Sequence, residues 1–199
     1  MSHPRIILAS GSAIRAEILR QAGIDFEVMK PSVDEDVIKR QGAKDDLSLE
    51  ALAMRLAEAK CLNIAEKTDA IVIGSDQIME FKGRAYDKPG DMKEARARLL
   101  AIQGAPHTLI NAIAVAKRGE IVWRNIDRPM LFVRPLTESE VDAYLEACEP
   151  DILNSVGAYQ VEKLGSRLFE KINGDHFAVL GLSLLPILSY LRGEGALAF

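Results

Sequence analysis

The run IILASGSAIRAEIL, residues 6–19, constrains the fold more than any other stretch. Its apolar opening reads as a buried strand, and Ser10-Gly11-Ser12 ends it. Apolar positions then recur at Ile14, Ile18, Leu19 and Ala22, one face of a helix that Gly23 stops. The first turn of that helix carries Arg15, where the helix dipole already places positive charge. With Ser12 as N-cap, Arg15 stands at N3, where glutamate is usual and a cation is unfavourable by up to about 1 kcal/mol. A bound anion reverses the sign. Free amides after Ser10-Gly11-Ser12, two hydroxyls and one guanidinium together suit a phosphate. A solvated arginine on a helix that happens to start this way accounts for the stretch equally well. Neither GxxxxGK[ST] nor GxGxxG is present.

Further along, residues 26–29 form a second short strand running into the acidic turn PSVDED at 31–36. A long helix is expected over 47–65, with Leu49, Leu52, Ala53, Leu56 and Ala59 inward. AIVIG at 70–74 is a compact strand, and Ser75-Asp76-Gln77 hangs from its end. Lys82-Gly83 marks a hairpin turn, and Asp91 with Glu94 opens a helix reaching about residue 101. Residues 108–116 and 121–133 read as paired strands around Arg118-Gly119. Thr137 with Glu140 is a capping box whose helix ends before Pro150. Residues 168–172 and 177–180 then form a hairpin-like pair before a last helix. Strands and helices mix without strict βαβ repetition, so the fold class is α/β, or mixed α+β, with a mixed sheet rather than a doubly wound parallel one. No repeat or long linker divides residues 1–199, which read as a single domain.

With 48% apolar and 27% charged residues in 199, the composition is that of an ordinary soluble globular protein. A net charge of −4 argues against a nucleic-acid partner, although a few local cations can still hold a small anion. Cys61 and Cys148 lie far apart without a CxxC partner, which suggests buried thiols in a reducing cytoplasm rather than a disulfide. The apolar start is too short for a signal peptide. The late apolar stretch 177–188 is too short for a membrane span and holds a glycine and a proline. His3, His107 and His176 show neither ligand spacing nor a triad order. The chemistry left is metal-assisted attack of water on a phosphate, with a carboxylate base and cations around the anion.

Four places could serve it. Asp34-Glu35-Asp36 concentrates carboxylates that could hold a hard divalent cation, or simply form a solvated loop. Asp76 follows a buried strand at its carboxyl end, where α/β folds put their sites, although a cap or turn role is open to it. Lys88 precedes a proline that stiffens its backbone, as an ordinary loop lysine also could. Lys60 sits in an apolar helical segment, where snorkelling is the plain alternative.

Seven segments carry a resemblance in the right order. LASGSAIRAEIL matches the pattern LASxSPRRxELL, keeping Ser10, Ser12, Arg15, Glu17 and Leu19. It departs at Ala13 for the proline, and at Ile14 and Ala16, where relatives carry an aromatic or basic residue and a second arginine. PSVDE supplies Glu35, RLAEAKC supplies Lys60, GSDQ supplies Asp76, and DKP, for the pattern GKP, supplies Lys88. GAYQVE and FEKINGDHFAVLGLSL match the late segments. Together they resemble the Maf family of nucleotide pyrophosphatases over nearly the whole chain.

The resemblance implies an elongated mixed-sheet fold like that of inosine triphosphate pyrophosphatases, with a cleft between two lobes. It implies Asp76 as proton acceptor, and Ser10, Ser12, Arg15, Lys60 and Lys88 around the phosphates. Glu35 and Asp76 would hold a divalent metal, Mg or Mn, and a homodimer is implied as well. Gln77 and Glu162 stand where the 7-methyl-GTP group of the family has Gln and Glu, with Ile14 a third specificity position. A glutamate accepts from both N1–H and the exocyclic amine of guanine, whereas uracil sets carbonyls against it. The alternatives are a dTTP or UTP pyrophosphatase of the same family, or a nucleotide-binding regulator of cell division without turnover.

Overall fold

The structure, a computed structural model, describes residues 4–148 and 150–199; His3 lies outside them. In chain order it contains β1 (Ile6–Ala9), α1 (Ala13–Gln21), β2 (Glu27–Val28), α2 (Glu35–Lys44), α3 (Leu49–Ala65), β3 (Ile71–Phe81) and β4 (Arg84–Tyr86). There follow α4 (Met92–Ile102), β5 (Pro106–Lys117), β6 (Glu120–Asp127), β7 (Met130–Val133), α5 (Glu138–Ala147), β8 (Phe169–Asn173), α6 (His176–Val179) and α7 (Leu184–Gly193). Short 3-10 turns at Pro150–Asn154 and Leu164–Leu168 join α5 to β8.

Eight strands form one mixed sheet in the order β2-β1-β3-β5-β7-β8, with β4 beside β3 and β6 beside β5. β1 runs parallel to β2 and β3, and every other pairing is antiparallel. The two long strands form a spine: β3 pairs with β5 from Val72↔Ala116 to Glu80↔Thr108. Along its other edge β3 changes partner, carrying β1 opposite Ile71 to Gly74 and β4 opposite Met79 to Phe81. β5 changes partner too, from β7 at its start to β6 at its end. The spine therefore serves two lobes.

In the first lobe the pleat sends Ile6, Leu8, Ile71 and Ile73 to one face, against Ile18 and Leu19 of α1 and Ile187 and Leu191 of α7. Ile7, Val72, Ala112 and Ala114 go to the other face, against Ala53, Leu56 and Ile64 of α3. The second lobe gathers Met79, Phe81, Leu109 and Leu131 under Leu99 of α4 and Val141 of α5. Local chemistry sets the ends of elements. Asp91 accepts from Glu94 N–H at 2.7 Å, and Thr137 with Glu140 closes a reciprocal capping box. Lys82-Gly83 (φ 52° and 76°) and Arg118-Gly119 (φ 52° and 79°) turn through the left-handed region that tight hairpins need.

Several expectations are corrected. The acidic run 31–36 is only half a turn, because Asp34 accepts from Val37 N–H at 3.0 Å and caps α2. The strand 70–74 continues to Phe81, so Asp76 lies within β3 and not beyond it. The strand 121–133 breaks at Arg128-Pro129 into β6 and β7. Residues 177–180 are no strand: Asp175 accepts from Ala178 N–H at 2.8 Å and starts α6, while β8 pairs with β7. On α3 the inward stripe is Ala53, Leu56, Ala57, Lys60, Cys61 and Ile64; Leu49, Leu52 and Ala59 are half-buried at its margin.

Candidate active site

Between the end of β1 and the start of β4, residues 75–78 of β3 have no strand on one edge. Side chains alternate there. Asp76 points toward α3, whereas Ser75 and Gln77 point toward α6 and the turn after it. Lys60, on the buried stripe of α3, places its Nζ 2.5 Å from Asp76 Oδ1 and 2.9 Å from Glu35 Oε1. Snorkelling is therefore overturned: the Lys60 side chain is only 11% exposed and its ammonium is held by two carboxylates. Gly74 makes this approach possible. A Cβ built on it would stand 2.4 Å from Ala57 O and 2.8 Å from Cys61 Cβ, so only glycine lets α3 lie this close to β3.

Arg15 has a partner for its misplaced charge. Its Nε donates to Gly181 O at 2.8 Å and its Nη1 to Ser75 O at 2.7 Å, across the open edge of β3. Gly181 adopts φ +100°, a glycine conformation, and its carbonyl also accepts from Ser75 Oγ at 2.9 Å. Burial pulls the Arg15 pKa down, while the charges of Asp76 and Glu35 pull it back up. The guanidinium keeps donors to spare at Nη2. Ala16, by contrast, is buried in the first lobe and brings nothing to the cleft. Not all the amides of this terminus are free: Ser12 N–H donates to Ser10 Oγ at 3.1 Å, and Arg15 N–H to Ser12 Oγ at 3.5 Å.

A cleft of about 910 Å³ opens over this edge, between the lobes. Ser10, Ser12, Ile14, Arg15, Glu35, Lys60, Asp76, Gln77, Lys88 and Glu162, all singled out from the sequence, line it together. Burial lowers the Lys88 pKa, helped by the charges of Arg15 and Lys60 and opposed by Glu35 and Asp76. Within the acidic run the roles separate: Asp34 is spent on the cap, Glu35 reaches Lys60, and Asp36 faces the cleft. Gln77 donates its amide to the carbonyls of Ala178 (2.9 Å) and Val179 (3.3 Å), which leaves its oxygen as an acceptor.

Among the described residues no cluster of three or more His, Cys, Asp or Glu side chains forms an all-protein metal cage. The donor set still fits a hard divalent cation. Glu35 Oε1 and Asp76 Oδ1 converge on the Lys60 ammonium, so a cation would draw on their second oxygens, and Mg²⁺ commonly takes one or two carboxylates with waters and substrate phosphates.

Lys39, Tyr86, Asp87 and Gln160 also line the cleft and escaped the sequence reading. Lys39 lies on α2, whose sequence buries only Gly42 and so shows no apolar face; its spacing of four from Glu35 was the available signal. His107 takes no part. It is 3% exposed, its Nε2 shares a 2.5 Å hydrogen bond with the Tyr159 hydroxyl, and burial pushes its pKa down to about 4. Cys61 and Cys148 are free thiols, and burial pushes the Cys61 thiol up to about 12.

Cations gathered around two carboxylates, at an open strand edge between lobes, define an α/β protein built to hold and process a polyanion. A model of the Maf-like protein family matches residues 5–194, and the chain belongs to the Maf family. It is 43% identical to a nucleoside triphosphate pyrophosphatase of Caulobacter vibrioides over 99% of both chains. It is 47% identical to one of Maricaulis maris over 97% of this chain and 98% of that one. It is 42% identical to a 7-methyl-GTP pyrophosphatase of Rhizobium meliloti over 98% of both.

Proposed function

We propose that this chain hydrolyses 7-methyl-GTP to the nucleoside monophosphate and pyrophosphate. At the coarser level it is a nucleoside triphosphate pyrophosphatase, a hydrolase acting on a phosphoric anhydride bond, as its relatives are named. The observation that carries the finer reading is the pinned amide of Gln77, which commits its nitrogen to two carbonyls and leaves its oxygen as an acceptor in a lining shared with Glu162. Two acceptors suit the donor-rich edge of guanine, with N1–H and an exocyclic amine, and oppose the carbonyls of uracil.

In the reaction, water attacks the α-phosphorus and the bond to the bridging oxygen breaks, releasing pyrophosphate. Asp76 takes the proton of that water or helps hold the metal, and Lys60 fixes its orientation through Oδ1. Arg15 and Lys88 face the charge that shifts toward the leaving group, with Ser10 and Ser12 at the helix start beside them. A divalent cation, Mg or Mn, held by Glu35 and Asp76 would supply Lewis-acid polarisation of the phosphate. A pure binder gains nothing from carboxylates that repel phosphate, which speaks against the regulator reading. No helix among the described residues is long and apolar enough to cross a membrane. The proposal includes a cytoplasmic enzyme, supported by its two free thiols, without membrane or nucleic-acid partners. It also includes a homodimer: the outer edge of β6, with Val122 and Ile126 exposed, offers a surface for a second copy, and light scattering tests it.

The test is pyrophosphate release by purified protein with Mg²⁺ and a nucleotide panel. The expected result is a higher kcat/KM for 7-methyl-GTP than for UTP or dTTP, narrowed by Glu162→Gln. Preference for UTP or dTTP in the unmodified enzyme would overturn the guanine reading.

A further inference from the structure

Lys39 and Asp87 meet from opposite lobes. Lys39 stands on α2, which lies against α3 so closely that a Cβ at Gly42 would meet Leu52 Cδ1 at 2.9 Å. Asp87 follows β4, which pairs with the far half of β3. Their ion pair, Nζ to Oδ1, measures 2.5 Å, and both side chains line the cleft. Four residues separate Lys39 from Glu35 on one helix, so both share a face of α2, one turn or about 5.4 Å apart. That spacing is comparable to the reach of a leaving pyrophosphate beyond the α-phosphorus.

The two partners differ in freedom. Arg98 Nη1 donates to the Asp87 carbonyl and to Val156 O (2.6 Å), so the Asp87 backbone is tied in place. The Lys39 stem has four rotatable carbons and no such tie. The Asp87 carboxylate is 76% exposed, and ion pairs this open hold their partners weakly. Charge-assisted bonds to a multiply charged phosphate are stronger. Asp87 stands where the pattern GKP has glycine, which would offer no competing carboxylate.

We propose that Lys39 is a further phosphate-binding residue, whose ammonium leaves Asp87 for the outer phosphates of the bound nucleoside triphosphate. Asp87 is then a resident competitor of the substrate tail. Lys39 returns to it when pyrophosphate departs, which shortens the stay of that product. In the bridge, the hydrogen bond and charge of Asp87, then the charges of Glu35 and Asp76, raise the Lys39 pKa against burial. The proposal rests on placing the phosphate tail among Glu35, Asp76 and Lys88.

The test is calorimetric binding of α,β-methylene GTP and of guanosine monophosphate to the unmodified protein and to three variants. Lys39→Met should weaken the triphosphate analogue by roughly tenfold and leave the monophosphate within about twofold. Asp87→Asn should tighten the triphosphate analogue by about threefold or more, since the rival carboxylate is gone. Both substitutions break one bridge, so a merely structural bridge would shift affinity in one direction for both. Shifts of the same sign, or none at Lys39→Met while Arg15→Ala weakens the analogue, would overturn the Lys39 proposal alone. No change at either Arg15→Ala or Lys39→Met would overturn the placement of the phosphate tail itself.

Discussion

Lys60 holds Asp76 by one oxygen only: its ammonium meets Oδ1 at 2.5 Å and meets Glu35 with a separate hydrogen, at 2.9 Å. Lys60 thus leaves Asp76 Oδ2 unclaimed while it sets the carboxylate's orientation. Asp76→Asn should lower kcat by roughly 10²–10⁴-fold, with binding of a non-hydrolysable nucleotide retained. Lys60→Met strands the Asp76 carboxylate in a buried place, with half-exposed Glu35 beside it, and should lose about 3 kcal/mol of stability, more than Asp76→Asn, which leaves Lys60 paired with Glu35. Urea unfolding beside steady-state kinetics measures both. Near wild-type turnover in folded Asp76→Asn would remove Asp76 from the mechanism.

Gly74→Ala tests the approach of α3 to β3. Its methyl would stand 2.4 Å from Ala57 O, so the helix must retreat and carry Lys60 away from Asp76. Stability should fall by about 1–3 kcal/mol, and kcat should fall further than the folded fraction explains. A variant with reduced stability and unchanged kcat would show that the spacing of Lys60 and Asp76 is not critical.

His107 makes the fold sensitive to acid. Its folded pKa, about 4, lies below the ordinary 6.5, so between these values the unfolded chain binds a proton that the folded chain refuses. Stability therefore falls as pH drops from 6.5 to about 4, by up to about 3 kcal/mol, and this slope levels below. His107→Gln should flatten that limb in thermal unfolding followed across pH. An equal slope in both proteins would assign the acid sensitivity elsewhere.

Lys88 sets an alkaline limit. Its pKa is lowered by burial, then by Arg15 and Lys60, so its proton leaves below the usual lysine range. As that happens the fold is relieved of a buried charge and, on the proposed reading, the cleft loses a phosphate partner, so KM should rise while stability does not fall. Lys88→Arg keeps its charge and should move the rise in KM to higher pH. Profiles of KM against pH for the two proteins decide it.

Much of the site was legible because its residues sit at element ends with local signals, such as the Ser12 cap and the turn before Lys88. The length of β3 was not. Ser75, Asp76 and Gln77 interrupt the apolar run, yet partners brought from α3 and α6 satisfy them and the strand continues. α2 buries only Gly42, and α6 has four residues, too few to show a helical period. Snorkelling stood open as an alternative for Lys60 because its two acceptors come from distant segments that only the folded chain brings together.

The change of partner along β3 has a consequence for descent. Arg15, Glu35, Lys60 and Asp76 are fixed by the first lobe and the spine, whereas Gln160 and Glu162 belong to the stretch between α5 and β8. Substitutions in that stretch leave the β1–β3 ladder and the Lys60 contacts untouched. On the proposed reading, a chimera exchanging only residues 150–168 would replace the share of base preference that Glu162 carries, while Gln77 on the spine and the residues assigned to cleavage stay as inherited.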